Sequence, residues 1–427
     1  MELTMTLILM IVLILLNIPV AYAMIAACAF YFLTNDSVVN EILIQRMLAG
    51  VESFPLLAIV FFITAGILMN HTGITERMLT FAQLLTGHMK AGLAKVNILL
   101  SVLMGGLSGS NIADAAMQSK ILVPEMTKRN YPTAFSAALT AATSLITPII
   151  PPGIALIMYG YIGNVSIGDL FLAGIVPAGL LTALFLVLVH MIAQKRGFET
   201  SKREAAKPKE ILIASKDAIL AILLPVIIIG GIRFGVFSPT EAGAIAIVYA
   251  LFLGFIIYRK LSGNQLYHAL KESVTLTATI MIMIAAGSAF GWVLTLEQVP
   301  QTLTEYVTGL IESPTLFLLV VMIFLLLIGM FVEGNVLLII LTPIFIPMLQ
   351  VYGIDPVHFG LFFILCLSVG TITPPVGTIM FTTAAITKVK IEDFLKEVWP
   401  FWLVLIIAIL AVAFIPQISL WLPRLFS

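Results

Sequence analysis

The sequence predicts an all-α polytopic membrane protein, an inverted repeat with two re-entrant helical hairpins and two broken helices. Three observations support this prediction. Of 427 residues, 60% are hydrophobic and 10% are charged, whereas soluble domains carry about 25% charged residues. Many apolar runs approach the roughly 20 residues that cross a bilayer as a helix. The two halves of the chain also share the order and spacing of their proline and glycine motifs.

Composition excludes several classes of protein. The chain has 22 basic and 22 acidic residues, and this balance gives no basic surface for nucleic acid. Its two cysteines, Cys28 and Cys366, both lie in apolar runs, so neither a disulfide framework nor a cysteine metal site is expected. The hydrophobic content of 60% excludes a soluble enzyme. The first residues contain Glu2 and no basic residue, which argues against a cleaved signal peptide.

Apolar segments mark the expected spans along the chain. Two of them, 93–125 and 315–350, are too long for one crossing and contain glycine and polar residues, so each is predicted to be a hairpin that returns to its own side. The complete set is 3–16, 18–33, 54–70, 93–125, 133–160, 170–193, 218–232, 240–258, 274–296, 315–350, 358–386 and 398–422.

Basic residues predict the orientation in the membrane. The segment 194–217 contains seven of the 22 basic residues, and such loops lie in the cytoplasm. Counting outward from this loop, with both hairpins returning, places both termini on the outer side of the membrane. The seven residues are Lys195, Arg196, Lys202, Arg203, Lys207, Lys209 and Lys216.

The chain is interpreted as a duplication at a shift of about 220–224 residues. The segment Thr147–Gly153 (TPIIPPG) is echoed by Thr371–Gly377 (TITPPVG). Each half has five crossings and a hairpin, and this odd number inverts the second half, as in secondary transporters. The predicted units are a first repeat over 1–193 with hairpin 93–125 and broken helix 133–160, a cytoplasmic linker over 194–217, and a second repeat over 218–427 with hairpin 315–350 and broken helix 358–386.

The two hairpin turns are candidate binding elements. The first turn contains three glycines together with Ser108, Ser110 and Asn111. Polar backbone at membrane depth is tolerated only inside protein or beside a wet cavity, and its carbonyls can replace the hydration shell of a cation. The second turn contains Glu333, and an ionisable group at this depth is functional by default. Glu333 either accepts hydroxyls of a solute, contributes to ion binding, or pairs with a basic residue such as Lys120.

Prolines predict two unwound helices opposite these turns. Pro148, Pro151 and Pro152 in the first half, and Pro374 and Pro375 in the second, remove backbone donors and leave carbonyls free. Thr147, Thr371 and Thr373 add hydroxyl groups next to these prolines in the sequence. Because all these groups are oxygens, they favour a hard ion such as sodium over a transition metal.

Several other residues receive structural interpretations. Ser238 to Glu241 is typical of a helix capping box, so Glu241 is expected to be structural. The five histidines are expected near membrane interfaces, and the role of Asp114 stays open. The segments 34–52 and 259–272 are predicted to be amphipathic helices lying along the membrane faces.

The motifs Gly106–Asn111 (GLSGSN), Ile149–Gly153 (IIPPG) and Thr373–Gly377 (TPPVG), in their duplicated setting, resemble the large membrane subunit of TRAP (tripartite ATP-independent periplasmic) transporters. The resemblance implies a multi-pass protein of the bacterial inner membrane with an elevator-type ion-transporter fold. It implies two partners, a periplasmic substrate-binding protein and a small four-helix membrane subunit, expected as a separate chain. It also implies import of an organic acid, with Na⁺ as coupling ion and no other cofactor.

The same resemblance assigns residues to binding sites and leaves the substrate open between sialic acid and C4-dicarboxylates, with a preference for sialic acid. The substrate is expected near Ser108, Ser110 and Glu333. The sodium ligands are expected in two groups, first Ser108, Ser110, Asn111, Thr147, Pro151 and Gly153, and second Gly329, Gly334, Asn335, Thr371, Thr373 and Gly377.

Two alternative functions remain at this stage. The segment Gly106–Gly109 matches the Gly-x-Ser-Gly of rhomboid-like intramembrane serine proteases, with His190 as the possible partner of Ser108; short motifs of this kind have a high false-positive rate. A passive channel is the other alternative, and a test of sodium dependence would distinguish it from a coupled transporter.

Overall fold

The computed structural model describes residues 2–16, 18–35, 38–198 and 207–426, and within these ranges the chain is helical without strands. In the described ranges, twenty α-helices follow one another, with short 3₁₀ and π segments between some of them. They are α1 (Glu2–Leu15), α2 (Val20–Thr34), α3 (Glu41–Val51), α4 (Leu57–His71), α5 (Ile74–Thr86), α6 (Gly92–Ser108), α7 (Asn111–Lys128), α8 (Thr133–Thr143), α9 (Ile154–Ile162), α10 (Ile167–Arg196), α11 (Pro208–Arg233), α12 (Pro239–Phe252), α13 (Gly263–Leu296), α14 (Val299–Leu310), α15 (Pro314–Ile328), α16 (Gly334–Tyr352), α17 (Pro356–Gly370), α18 (Thr378–Thr387), α19 (Ile391–Phe414) and α20 (Gln417–Phe426).

Six helices in the described ranges are long and apolar enough to cross a membrane, and up to nine spans result if each bent helix pair counts as one. Large apolar side chains are exposed on the outer helices. On α15, Leu316, Val320, Ile323 and Leu327 are exposed and share one face by their helical spacing. An apolar outer face of this kind matches a hydrocarbon environment, so the exposed surface agrees with the predicted membrane protein.

Each segment predicted as a hairpin contains two helices joined by a turn. The predicted hairpin 93–125 is α6 and α7, which contact each other and turn at Gly109 and Ser110. The predicted hairpin 315–350 is α15 and α16, joined by residues 329–333, and both helices pack against α17.

Both predicted helix breaks are also present. Between α8 and α9 the chain passes through a 3₁₀ segment, Ser144–Ile149, and the two parts are bent by 42°. Residues 371–377 separate α17 from α18 without a regular α-helix. Because prolines remove donors in both places, the helical hydrogen-bond ladder ends there.

The predicted separate amphipathic helix over 259–272 is wrong. Residues Gly263–Leu296 form one continuous helix, α13, of 34 residues. It begins at a capping box in which the Ser262 hydroxyl accepts the Gln265 N–H and the Gln265 side chain accepts the Ser262 N–H, and no proline interrupts it. In the first half, Phe54–Leu56 forms a 3₁₀ turn that includes Pro55, and this break keeps α3 separate from α4.

Other local predictions have mixed outcomes. The capping box at Ser238 is confirmed, since the Glu241 carboxylate accepts the Ser238 N–H at 2.7 Å and its hydroxyl at 2.8 Å. His358 lies at the start of α17, and its ring is buried beside the Ser419 hydroxyl at 2.7 Å. Helices α5 and α14 lie in segments for which no element was predicted.

Helix α17 is the centre of the packed interior. Every residue from His358 to Gly370 is buried, and the Phe359 and Phe363 rings pack against Phe345 of α16 with centroids 5.4 and 5.6 Å apart. Aromatic contacts of this kind fix neighbouring helices firmly. The end of α17, and with it the second helix break, is therefore held in a well-packed environment.

Candidate functional site

A cavity of about 360 Å³ lies where both hairpin turns and both helix breaks approach one another. Its wall includes residues of the first turn, of the second turn, and Pro148 and Thr371 from the two breaks. The opposite wall is α13, which contributes Leu276, Thr279 and Ile280. Elements about 220 residues apart in the chain thus share one cavity that has the size of a small-molecule site.

The first turn is built by a glycine and a capping serine. Helix α6 ends at Gly109, whose φ of 60° lies in the left-handed region that favours glycine. Ser110 then begins α7, and its hydroxyl accepts the Ala113 N–H at 3.4 Å. A Cβ at Gly109 would lie 2.8 Å from the Pro152 carbonyl oxygen. The glycine therefore lets the first turn sit directly against the first helix break.

A buried carboxylate joins the first turn to the first break. Asp114 is 1% exposed, and it accepts the Ser108 hydroxyl at 2.7 Å and the Thr147 hydroxyl at 2.6 Å. Hydrogen bonds to an ionised group are the stronger ones, and a buried charge requires such partners. Asp114 thus connects α6, α7 and the 3₁₀ segment at one point, a connection that the sequence left open.

A second polar network supports this region from behind. The Asn97 amide donates to the Thr140 hydroxyl at 2.7 Å and accepts the Thr143 hydroxyl at 2.8 Å. Ser101 and Gln118 are hydrogen-bonded between the two hairpin helices. All these side chains are buried, and buried polar groups with satisfied hydrogen bonds fix one arrangement of helices. Their sequence signal was the presence of amide and hydroxyl residues inside apolar runs.

The second turn presents a different carboxylate. Glu333 precedes α16, and its Oε1 accepts the Asn335 amide at 2.7 Å. Glu333, Gly334 and Asn335 all line the cavity. The pairing of Glu333 with Lys120 that the sequence left possible is not present; Lys120 is exposed on α7, and the hydrogen bond described for the Glu333 carboxylate is to Asn335.

The second turn and the second break are joined through the backbone. The Val376 N–H donates to the Met330 carbonyl at 3.1 Å. A Cβ on Gly370 would overlap the Gly329 carbonyl, so the two segments touch through their glycines. The Thr371 hydroxyl donates to the Ser368 carbonyl at 2.6 Å and the Thr373 hydroxyl to the Val369 carbonyl at 2.8 Å.

The predicted site residues fall into two groups around this cavity. One group lies on its wall, comprising Ser110, Asn111, Glu333, Gly334, Asn335 and Thr371. The other group does not line the cavity and lies in the turns and breaks around it, comprising Ser108, Thr147, Pro151, Gly153, Gly329, Thr373 and Gly377. The structure therefore brings both predicted turns together at one cavity. The Ser108 hydroxyl does not line this cavity and donates to Asp114 instead.

The geometry of a serine protease is not formed by Ser108. Its hydroxyl donates to Asp114, and His190 is paired at 3.0 Å with Gln194 on its own helix. Nucleophilic catalysis requires the serine and its base within hydrogen-bond reach. Within the described ranges, no group of three His, Cys, Asp or Glu residues could hold a metal ion, so the polar groups of the site are hydroxyls, amides, carbonyls and two separate carboxylates.

Two solved structures share the fold of this chain. The chain is similar to the YdaH transporter of Alcanivorax borkumensis, with a TM-score of 0.65, 15% identity, and 92% of this chain and 90% of that one covered. It is also similar to MtrF of Neisseria gonorrhoeae, with a TM-score of 0.58, 14% identity and coverage of 90% and 84%. At identities of 14–15%, these similarities are evidence of a shared fold alone.

Sequence relatives then give the family. Residues 7–418 match the family described as the tripartite ATP-independent periplasmic transporter, DctM component, and the chain belongs to it. The chain is 40% identical to the sialic acid TRAP transporter large permease protein SiaM of Vibrio cholerae, with 96% of each chain covered. It is 36% identical to the 2,3-diketo-L-gulonate large permease YiaN of Escherichia coli, with 94% of each covered. It is 37% identical to the C4-dicarboxylate large permease DctM of Pseudomonas aeruginosa, with 87% of each covered.

Family membership confirms the resemblance stated from the motifs. The protein is a multi-pass membrane permease subunit of a TRAP transporter, and not an enzyme.

Proposed function

We propose that this chain is the large membrane subunit of a sodium-coupled, binding-protein-dependent secondary transporter that imports an organic acid. The observation that carries the proposal is the single cavity shared by both turns and both helix breaks. Transporters of this kind bind substrate where discontinuous helices meet. The names of the three relatives specify sialic acid, 2,3-diketo-L-gulonate and C4-dicarboxylates, all of which are organic acids.

We infer an inverted repeat over 1–193 and 218–427, with 194–217 as cytoplasmic linker and both termini periplasmic. Both halves contain a helix–turn–helix, then a broken helix, then a long helix, in the same order. In the first half these are α6–α7, α8–α9 and α10, and in the second α15–α16, α17–α18 and α19. This common order supports the duplication.

We propose an elevator movement for this arrangement. The two hairpins and the two broken helices would move together as a transport domain, while α13 and the other outer helices remain as scaffold. The cavity has one wall from each part, since Ala113 belongs to α7, next to the first turn, and Thr279 belongs to α13.

Two sodium sites are proposed from the oxygen groups of each turn and its neighbouring break. The first uses the region of Ser108, Ser110, Asn111 and Thr147, where Asp114 supplies a nearby negative charge. The second uses the region of Gly329–Asn335 and Thr371–Gly377, where backbone carbonyls predominate. Oxygen ligands of these types suit a hard cation.

The partners are proposed from the family. A small four-helix membrane subunit and a periplasmic substrate-binding protein would complete the transporter in the inner membrane of a bacterium. Two partners are consistent with a family of tripartite periplasmic transporters.

Sodium coupling is tested with the three components reconstituted in proteoliposomes. Labelled N-acetylneuraminate and succinate serve as probes. We expect accumulation of one of them under an inward sodium gradient and none with potassium and a pH gradient. Accumulation driven by the pH gradient alone would overturn sodium coupling, and equilibration without accumulation would identify a passive channel instead.

The elevator is tested by cysteine crosslinking. After Cys28 and Cys366 are replaced by serine, one cysteine is introduced at Ala113 and a second at successive positions along α13, beginning at Thr279. An elevator predicts that the crosslinked α13 position shifts by several ångströms when sodium and substrate are added. If the same α13 position is crosslinked under every condition, the transport domain does not slide.

A further inference from the structure

The charge distribution around the cavity is uneven. Among the cavity-lining residues that the structure describes, Glu333 is the one ionisable side chain, and Lys, Arg and His do not occur there. An organic anion in this cavity therefore meets hydroxyl, amide and backbone donors in place of a cationic side chain. It also meets one carboxylate, which is an unusual neighbour for an anionic substrate.

Glu333 offers an acceptor for a hydroxyl group. Its Oε1 is engaged by the Asn335 amide at 2.7 Å, which orients the carboxylate and leaves Oε2 for another donor. An ionised carboxylate accepts hydrogen bonds and donates none. A substrate hydroxyl can donate to this remaining oxygen, whereas an ionised substrate carboxylate has no hydrogen to donate.

The opposite turn has donors. The Ser110 oxygen accepts the Ala113 N–H, so its hydroxyl hydrogen is free to be donated. Asn111 uses Oδ1 to accept the Ile112 N–H at 3.0 Å, which leaves the amide nitrogen as a donor. Donors of these two kinds suit a carboxylate.

The third wall is largely apolar. Leu276, Ile280 and Met283 of α13 line it together with the Thr279 hydroxyl. A carbon chain can lie along these side chains between the two turns. The cavity thus presents donors on the first turn, an acceptor on the second turn, and an apolar wall on α13.

We propose that Glu333 is a specificity-determining residue that selects hydroxylated monocarboxylates and rejects dicarboxylates. This inference rests on the proposed function and narrows its substrate class. The carboxylate of the substrate binds at Ser110 and Asn111, and a hydroxyl group donates to Glu333. Sialic acid and 2,3-diketo-L-gulonate, named for two of the relatives, have this chemistry, and a C4-dicarboxylate has a second carboxylate in place of the hydroxyls.

The test measures binding to the purified full-length chain in lipid nanodiscs by calorimetry at saturating sodium. The probes are three acids with six carbons, gluconate with hydroxyls, adipate with a second carboxylate, and hexanoate with neither. For the unmodified chain we expect gluconate to bind about tenfold more tightly than hexanoate, since a hydrogen bond to a charged group is lost in the latter. Adipate is expected to bind no more tightly than hexanoate.

The variant Glu333→Gln keeps the shape and removes the charge. We expect gluconate binding to weaken about tenfold and adipate binding to improve about tenfold, because the new amide can donate to the second carboxylate. The matched control is Glu305→Gln, an exposed glutamate of α14, which should leave all three affinities unchanged. Ser110→Ala should weaken all three acids by a similar factor.

Three results would overturn the inference. Adipate binding as tightly as gluconate to the unmodified chain, with all acids weakened by Ser110→Ala, would remove the role of Glu333 and leave the proposed organic-acid transport standing. The inference also fails, with organic-acid transport left standing, if Glu333→Gln leaves the ratio of gluconate affinity to adipate affinity unchanged. If none of the three acids binds in sodium, the proposed function fails together with the inference.

Discussion

The two hairpin turns differ in backbone as well as in side chains: the first passes through a left-handed glycine, Gly109, whereas Gly329 in the second is right-handed. In the first, Asp114 is buried and bridges Ser108 and Thr147, so the carboxylate holds the turn against its helix break. In the second, Glu333 lines the cavity and is held by Asn335 two residues away. The joint between this turn and its break is made by the backbone, from Val376 to Met330.

The two carboxylates, Asp114 and Glu333, therefore have different roles. A carboxylate with two hydroxyl donors from other helices connects those helices and concentrates negative charge inside the domain. A carboxylate with a local partner keeps an oxygen available for a ligand. We therefore expect substitutions at Asp114 to affect ion binding and helix packing, and substitutions at Glu333 to affect the choice of substrate.

The largest effect is expected for Asp114→Ala. Two hydrogen bonds to a charged group are lost, each contributing about 1.5–3 kcal/mol, which predicts at least about 100-fold weaker apparent sodium affinity. Sodium dependence of uptake in proteoliposomes measures this change. Glu333→Gln serves as the comparison, and its sodium dependence should be close to that of the unmodified chain. Equal sodium defects in both variants would remove the division of tasks.

Single donors of the first turn and the first break should have intermediate effects. Ser108→Ala and Thr147→Val each leave Asp114 with one hydroxyl partner, and Asn111→Ala removes an amide from the cavity wall. A buried hydrogen bond costs about 1–3 kcal/mol when one partner is removed, so apparent binding of sodium or substrate should weaken about 5- to 150-fold. Uptake kinetics at matched expression are the measurement.

The same turn allows a test of coupling between residues. In a double-mutant cycle, Ser108→Ala should have little further effect once Asp114→Ala is present, because residues that share a hydrogen bond are not additive. Fully additive losses would show that the bond from Ser108 to Asp114 does not contribute.

A crowding effect is expected where α13 meets the second hairpin. A Cβ at Gly287 would overlap the Ile339 side chain of α16. Gly287→Ala should therefore force α13 and α16 apart and destabilise the protein by about 1–3 kcal/mol. Uptake should become slower, although the protein is still expressed. Gly230→Ala is the matched control, since nothing lies within 4 Å of a Cβ there. Unchanged uptake in Gly287→Ala would mean that this contact adapts freely.

The smallest effect is expected at the second break. The hydroxyls of Thr371 and Thr373 donate to carbonyls of the preceding helical turn, and a typical hydrogen bond contributes about 0.5–1.5 kcal/mol net. Thr371→Val and Thr373→Val should thus weaken apparent sodium binding by less than about tenfold. A loss as large as that of Asp114→Ala would show that both turns bind ions through side chains.

Local chemistry explains which features could be predicted. Gly109 and Ser110 mark the first turn because few other residues adopt the left-handed conformation or cap a helix. The prolines of both breaks act on their own helical turn. The continuity of α13 was missed because its segment 259–272 is mixed in polarity, and a capping box at Ser262 with no later proline determines the outcome. The burial of His358 beside Ser419 also depends on the packing of α17 against α20.

The sequence by itself determined the helical membrane class, the positions of both turns and both breaks, and the oxygen-rich character of the site. These are properties of hydropathy, helix capping and proline geometry, which act over a few residues. Only the tertiary structure decided that Asp114 joins Ser108 to Thr147, that Glu333 and Ser110 share a cavity, and that α13 forms its third wall. Such contacts depend on how distant helices pack around α17, and no local pattern specifies which faces will meet.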